Sequence, residues 1–304
     1  MIPSRRAAHA LLLLAAACGT GACRPGNQEA RRLEKVCESG DAAACNDLAL
    51  RLLHGEYVLR DEGRAAGLFL RSCDAGVGPA CAEVGEMYQE GTGVKGDSAR
   101  AAGLFRQGCE RGGLSGCTRL GTLYSAGAVV ERDVLQAAVL FRRACDGGEL
   151  EGCSHLAALH AAGEGVTRDA ALAAALFGKA CEGRIAGGCV GLGRLRLAGA
   201  GVPQSDSLAS ALFQKACDAN DPDGCFYLGE QYAAGGGVVQ DFGEAARLYE
   251  RACWGGERAV ACYRLAELQQ KGAGVRRDPE RAADTMQRAC ELGHAAACPR
   301  KEAA

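Results

Sequence analysis

Aromatic side chains make up only 5% of this 304-residue chain, with one tryptophan and three methionines. Proline is also scarce, at seven residues, whereas glycine reaches 44. The mixture fits closely packed helices of small residues joined by Gly-rich turns. The net charge of −2 comes without any basic run, so the electrostatic footprint of a nucleic-acid binder is missing. No stretch supplies the roughly 20 continuous apolar residues that a membrane span requires. Neither Cys-x-x-Cys nor His-Glu-x-x-His occurs, which removes the usual short metal-site spacings. Ser-x-x-Lys, Ser-Asp-Asn and Lys-Thr-Gly are absent too, and with them the motifs of serine β-lactamases.

Cysteine, by contrast, is plentiful and ordered. Sixteen of the 18 fall into eight pairs: Cys37/Cys45, Cys73/Cys81, Cys109/Cys117, Cys145/Cys153, Cys181/Cys189, Cys217/Cys225, Cys253/Cys262 and Cys290/Cys298. Seven pairs are eight residues apart and Cys253/Cys262 is nine apart, and the pairs return every 36 residues with one step of 37. A fixed period in this range marks a stacked repeat array. Such an array grows in one dimension and needs no division into globules.

The N-terminus reads as an export signal over residues 1–22, with Arg5 and Arg6 ahead of the apolar run Leu11 to Ala17. Cleavage of the ordinary type could follow Ala15-Ala16-Ala17. Lipoprotein-type cleavage could fall at Cys18 or Cys23, where Thr20-Gly21-Ala22-Cys23 resembles a degenerate lipobox. Cutting before Cys23 leaves sixteen cysteines to pair and one to carry lipid, which makes Cys23 the preferred lipidation candidate. Residues 23–30 then read as a linker, 31–298 as one repeat array with a leading helix, and 299–304 as a tail. Export also suits the cysteine content, since disulfides persist in oxidising compartments.

Seven units open at Cys45, Cys81, Cys117, Cys153, Cys189, Cys225 and Cys262. Each starts with apolar residues at spacings of three and four, as an amphipathic helix requires. Its fifth position is small throughout: Ala49, Gly85, Gly121, Ala157, Gly193, Gly229 and Ala266. Gly in a helix interior costs about 1 kcal/mol relative to Ala, so its recurrence implies a close helix contact. A Gly-rich turn follows, then a residue suited to capping a second helix: Asp61, Asp97, Asp133, Asp169, Ser205, Asp241 and Asp278. Asp241 with Glu244 predicts a capping box. The second helix carries Ala65, Ala101, Ala137, Ala173, Ala209, Ala245 and Ala282, and four residues on Phe69, Phe105, Phe141, Phe177, Phe213, Tyr249 and Met286. Small opposite large at helical spacing is how stacked helices interdigitate.

These residues resemble the Sel1-like repeat, a relative of the tetratricopeptide repeat. The likeness rests on Leu120-Gly121-Thr-Leu-Tyr124 and Leu228-Gly229-Glu-Gln-Tyr232, on Gly-x-Gly-Val turns such as Gly163-Glu-Gly165-Val166, and on Ala101-Ala102-Gly-Leu104-Phe105. With its cysteine pairs the chain is similar to the cysteine-rich Sel1 proteins of Helicobacter. The resemblance implies an all-α, right-handed α-solenoid of antiparallel helix pairs. His160 and Arg196 stand where the motif has Tyr.

Two residues eight apart on a straight helix lie about 12 Å from each other, too far for a disulfide. The intervening residues, such as Gly112-Gly113, Gly147-Gly148 and Gly255-Gly256, supply the turn that would bring them together. Each bridge, Cys290–Cys298 included, would clamp the end of one helix to the start of the next. The rival reading is zinc, but one pair supplies two ligands where a structural site needs four. No metal or other cofactor is expected.

Few residues suggest chemistry. Gly91-Thr-Gly93-Val-Lys-Gly96 matches a phosphate-loop pattern but is the repeat's own turn. His155 and His160 are five apart and do not share a helix face, and His54 stands alone before a turn. Some cysteine-rich Sel1 relatives are assigned penicillin-binding or β-lactamase activity, so a hydrolase is the alternative reading. What remains is a surface. By analogy with tetratricopeptide arrays, first helices line a concave face, and the residues two and five past each opening cysteine would project from it. Among them Glu83, Glu86, Arg119, His155, Arg194, Tyr227, Glu230, Arg264 and Glu267 are the candidate binding residues. Phe226, Tyr227, Trp254, Tyr263 and Arg264 form the one aromatic-rich stretch. The expected protein is a disulfide-stapled scaffold for a protein or peptide partner, without nucleic acid. It would touch the membrane only through a lipid at Cys23. Its expected place is periplasmic, anchored to the outer membrane or secreted.

Overall fold

The computed structural model describes residues 25–298. The expected signal 1–22, Cys18, Cys23 and the tail 299–304 lie outside the described residues. Among those described, all regular structure is helical, with no strand. The α-helices are α1 (Pro25–Glu38), α2 (Ala42–His54), α3 (Glu62–Asp74), α4 (Gly78–Glu90), α5 (Ser98–Glu110), α6 (Leu114–Ala126), α7 (Val134–Asp146), α8 (Leu150–Ala162), α9 (Ala170–Glu182), α10 (Ala186–Ala198), α11 (Asp206–Asp218), α12 (Pro222–Ala234), α13 (Phe242–Glu250), α14 (Ala259–Lys271) and α15 (Pro279–Glu291). None is long and apolar enough to cross a membrane. Residues 25–30, expected as linker, belong to α1. That helix lies one 36-residue period upstream of α3 and is a second-type helix, with Leu33 in the Phe69 slot.

The chain divides into two compact units, one ending at Asp133 and one beginning at Val134. Each is a stack in which first helices (α2, α4, α6; α8, α10, α12, α14) alternate with second helices. Successive first helices also touch, α4 with α6 in one unit and α8 with α10 and α10 with α12 in the other.

The ends of the helices follow from the turn chemistry. Every first helix from α2 to α14 stops at a Gly in the left-handed region, with φ between 64° (Gly199) and 77° (Gly235). A residue without a Cβ adopts that conformation at little cost. Asp61, Asp97, Asp169, Ser205, Asp241 and Asp278 each accept a backbone N–H at the start of a second helix. Their own N–H groups donate back to the first helix, for example Asp97 to the Tyr88 carbonyl at 2.8 Å and Asp278 to Gln269 at 3.1 Å. This closes the hairpin and corrects one expectation. Asp241 accepts from Gly243 and Glu244, but its N–H is taken by the Tyr232 carbonyl at 3.0 Å. The reciprocal half of a capping box is therefore not made, and the Glu244 carboxylate pairs with Arg247 instead.

The core is the expected alternation of small and large. Ala65, Ala137, Ala173, Ala209 and Ala245 are fully buried, as are Phe69, Phe105 and Phe213. A Cβ on Gly85 would lie 2.6 Å from Phe105 Cε1, and one on Gly193 would lie 2.5 Å from Phe213 Cε1. The small fifth residue lets the ring of the following helix seat against the backbone.

Each of the eight cysteine pairs is bridged, with Cα separations from 4.4 Å (Cys217/Cys225) to 4.8 Å (Cys290/Cys298). The first seven bridges tie a second helix to the first helix that follows. At the eight-residue junctions an N–H returns to a carbonyl five residues back, as from Asp221 to Ala216 at 3.0 Å. The extra residue before Cys262 is absorbed by a π-helical turn, Arg251–Gly255, after which Arg258 reaches six back to Ala252 at 3.1 Å. An inserted residue inside a helical run is a common origin of such turns.

Cys298 departs from the expected pattern and requires a correction. Its bridge to Cys290 forms, but Cys298 does not lie at the start of a helix as the other second cysteines do. The junction begins normally, with the His294 N–H donating five back to the Ala289 carbonyl at 2.9 Å. Only a short 3₁₀ turn, Ala295–Ala297, then forms, and Cys298 itself is extended at φ −78° and ψ 139°. The physical reason is the next residue, Pro299, whose ring disfavours the helical region for the residue before it. The eighth bridge therefore fastens the end of α15 to a closing turn and not to a further helix.

Candidate functional site

The candidate residues sit on first helices, and each compact unit gathers its own set. In the first, Glu83 and Glu86 of α4 meet Arg119 of α6, whose Nε donates to Glu86 Oε1 at 2.7 Å. Burial pushes the Glu83 carboxyl above its ordinary range, the neighbouring Glu86 adds to this, and His54 and Arg119 oppose it. His54 is thus part of this charged group and not isolated.

In the second unit three environments form along α8 to α14. His155, half-buried, stacks on Phe141 with ring centres 4.8 Å apart, and its Nε2 lies 3.9 Å from Glu151. Tyr227 of α12 stacks on Phe213 at 5.2 Å. Two guanidinium groups stand 5.6 Å from the Tyr227 ring centre, that of exposed Arg194 on α10 and that of Arg258. Arg258 also covers Phe226 at 4.7 Å and pairs with Asp223. Burial lowers its pKa, Asp221 works the other way and Arg194 reinforces the lowering.

The third environment is a cleft of about 270 Å³ lined by Glu230, Tyr249, Arg264, Glu267 and Leu268 among others. Arg264 Nε lies 3.2 Å from Glu230, and its Nη1 donates to Glu267 at 3.2 Å. Burial disfavours that guanidinium's charge, but Glu230 and Glu267 outweigh it and hold the pKa above its ordinary value. The buried Tyr249 donates its hydroxyl to Glu230 at 2.5 Å, and burial first, then this carboxylate, push its pKa up.

The aromatic stretch does not gather into one patch. Phe226 is buried, Trp254 is half exposed beneath Arg288 at 4.4 Å, and Tyr263 packs on His294 at 4.6 Å. Of these rings, Tyr227 is the one beside Arg194, 5.6 Å from its ring centre. His160 is a packing residue, 6% exposed, with Nδ1 3.1 Å from the Thr167 carbonyl.

Two participants escaped the sequence reading. Tyr249 occupies a slot that holds Phe in five of the repeats, and its hydroxyl was the available signal. Arg258 lies in the junction lengthened by one residue, and that irregular spacing marked the place without marking the role. Among the described residues, no group of three or more His, Cys, Asp or Glu is arranged to hold a metal ion.

Comparison with known proteins agrees with this architecture. The model of the Sel1 repeat matches residues 42–77, 78–113, 114–149, 150–184, 186–221, 222–254 and 259–294. The last match stops at His294, so Cys298 and its closing turn lie beyond the repeat proper. The chain is similar to c5321, a protective antigen present in uropathogenic Escherichia coli strains displaying an SLR fold. Identity is 27% and the TM-score 0.65, over 88% of this chain and 57% of that one. A Sel1 repeat protein from Oxalobacter formigenes shares the fold at 24% identity and TM-score 0.64, over 88% of this chain and 77% of its own. Cysteine rich protein B of Helicobacter pylori is 32% identical over 45% of this chain and 97% of its own, with a TM-score of 0.36. No curated protein matches. The chain thus spans just over half the length of the E. coli antigen. With seven matched repeats covering most of its length, and helix pairs that end, cap and interdigitate at the same positions in each, the chain belongs to the Sel1 repeat family.

Proposed function

We propose that this protein is an exported scaffold that holds a protein or peptide partner on the face presented by its first helices. Solenoids bind along extended surfaces of this kind, and bridged cysteines suit an oxidising compartment. The observation that carries the reading is Tyr227 with Arg194 and Arg258 both 5.6 Å from its ring centre. Tyr and Arg on a semi-rigid surface are the residues that anchor interfaces, and Arg194 leaves its charge open to an acidic group of the partner. Neighbouring Arg264, Glu230 and Glu267 add a polar border. In this reading residues 1–22 direct export and Cys23 receives a lipid.

The test is capture of envelope proteins by the oxidised chain, compared with a Tyr227→Ala/Arg264→Ala variant of unchanged helicity. A partner whose capture falls about tenfold or more in the variant supports the reading, that being the weight of an interface anchor. Equal capture removes this face. Mass spectrometry of the mature protein checks the export half: a lipidated Cys23 at its N-terminus is expected, and an unprocessed Met1 overturns it.

A further inference from the structure

The repeats provide internal controls for one another, and one slot differs in an informative way. Near the end of each first helix stands Leu52, Tyr88, Tyr124, His160, Arg196, Tyr232 or Gln269. In the second repeat the slot is filled: Tyr88 is 8% exposed, and Arg100 covers its ring at 4.3 Å. In the seventh repeat the equivalent positions keep the same frame, with Gly243 for Gly63, Ala246 for Ala66, Val275 for Val94 and Arg281 for Arg100. The slot residue is Gln269, and a cleft of about 300 Å³ opens among Gly243, Ala246, Leu265, Gln269, Val275 and Arg281. Gln269 is 4% exposed, and its Oε1 has no hydrogen-bond partner. Arg281 has no ring to cover and pairs with Glu250 at 2.6 Å.

The first repeat shows the same substitution pattern. Leu52 holds the slot, the equivalent cleft measures about 510 Å³, and Arg64 pairs with Glu34, the counterparts of Arg281 and Glu250. Both clefts thus lie where the slot residue is a short aliphatic or amide side chain and a sister repeat supplies a ring.

We infer that the Gln269 cleft is a receptor for a phenolic ring, the side chain of a tyrosine on a partner protein. The ring replaces the one that the repeat omits, against Ala246, Leu265 and Val275. With the Gln269 amide turned toward the cleft, the ring's hydroxyl donates to Oε1, satisfying a buried acceptor that is otherwise costly. Arg281 is the counterpart of Arg100, which covers Tyr88, and by turning from Glu250 it makes the same cation–π contact. The cleft shares no lining residue with the Glu230 cleft, so it stands or falls apart from the first-helix surface, though both presuppose a protein partner.

The test uses the whole oxidised chain and N-acetyl-tyrosinamide, followed by NMR of the Leu265 and Val275 methyl groups. Binding with a dissociation constant on the order of 1 mM is expected for a probe this small. N-acetyl-phenylalaninamide should bind about fivefold more weakly, the weight of one hydrogen bond. Gln269→Leu, which imitates the first repeat, should abolish that preference. Gln269→Tyr should abolish binding, and because Tyr88, Tyr124 and Tyr232 occupy this slot elsewhere it should fold. Tyr88→Gln should create a second site, reported by Val84 and Val94. Equal binding of the two probes to the natural chain, shifts away from Leu265 and Val275, or undiminished binding to Gln269→Tyr would each overturn the inference.

Discussion

Two residues in the left-handed region separate backbone need from side-chain choice. Gly201 has φ +70°, and a Cβ there would lie 2.2 Å from the Ala170 carbonyl carbon. Gly201→Ala adds backbone strain to that overlap and should cost about 2 kcal/mol or more in denaturant unfolding. Val129 holds the equivalent position of the third repeat at φ 70°. Relief of left-handed strain, offset by the greater freedom of Gly in the unfolded chain, should make Val129→Gly about 1 kcal/mol more stable. Glu83 gives a test of electrostatics. Its pKa is raised on folding by burial and Glu86, so its ionisation opposes the native state at neutral pH and ceases to do so in acid. Glu83→Gln should raise the melting temperature at pH 7, and the gain should vanish as pH falls below about 4, where the carboxyl is protonated in both states. A gain that persists in acid would assign the effect to packing. The sequence displayed these positions but not their energetics: Val129 looks like any apolar residue until its φ is known, and Glu83 like any surface carboxylate.

At the scale of the element, the helix boundaries were legible because each is written in local chemistry. Asp or Ser before a second helix and Gly after a first one need only a few neighbouring residues to act. Asp169→Ala should accordingly cost about 1 kcal/mol through the bond it accepts from the Leu172 N–H at 2.9 Å. The capping box at Asp241 and Glu244 failed for a reason outside that local window. Its missing donor, the Asp241 N–H, is already engaged by the Tyr232 carbonyl across the hairpin. Glu244→Ala should thus remove only its exposed pair with Arg247 and change stability by no more than about 0.5 kcal/mol. A loss near 1 kcal/mol in that variant would show that the reciprocal bond forms in solution. At Cys298 the local signal was present but the repeat's period overrode it, since Pro299 argues against a helix at that residue. The π-helical turn lies between these cases. The nine-residue spacing of Cys253 and Cys262 announced an insertion, whereas its absorption at Arg251–Gly255, and the delivery of Arg258 onto Phe226 and Tyr227, depend on the packing of α12.

For the molecule, period and cysteine pairing were enough to read the architecture, because a repeat protein states its core many times over. The candidate site was less legible. Which side chains meet across repeats depends on helix packing, so Arg194, Tyr227 and Arg258 assembled from three elements while Trp254 and Tyr263 went elsewhere. The disulfides link the two levels. In a stacked array, stability is a sum of terms within repeats and terms between neighbours. Every bridge but Cys290–Cys298 reinforces a neighbour term by joining a second helix to the next first helix. The Cys181–Cys189 bridge couples α9 to α10 and closes a loop worth about 2–3 kcal/mol in the chain-entropy account. Cys181→Ala/Cys189→Ala should therefore lower the melting temperature by about 5–10 °C for a structure of this size. It should also broaden the transition, since a weakened neighbour term lets repeats on either side unfold apart. Hydrogen exchange resolved by residue should show α9 and α10 losing protection before the remaining helices. A variant melting within about 2 °C of the natural chain, with exchange unchanged in α9 and α10, would mean that packing alone carries the coupling. The bridges would then contribute little to equilibrium stability.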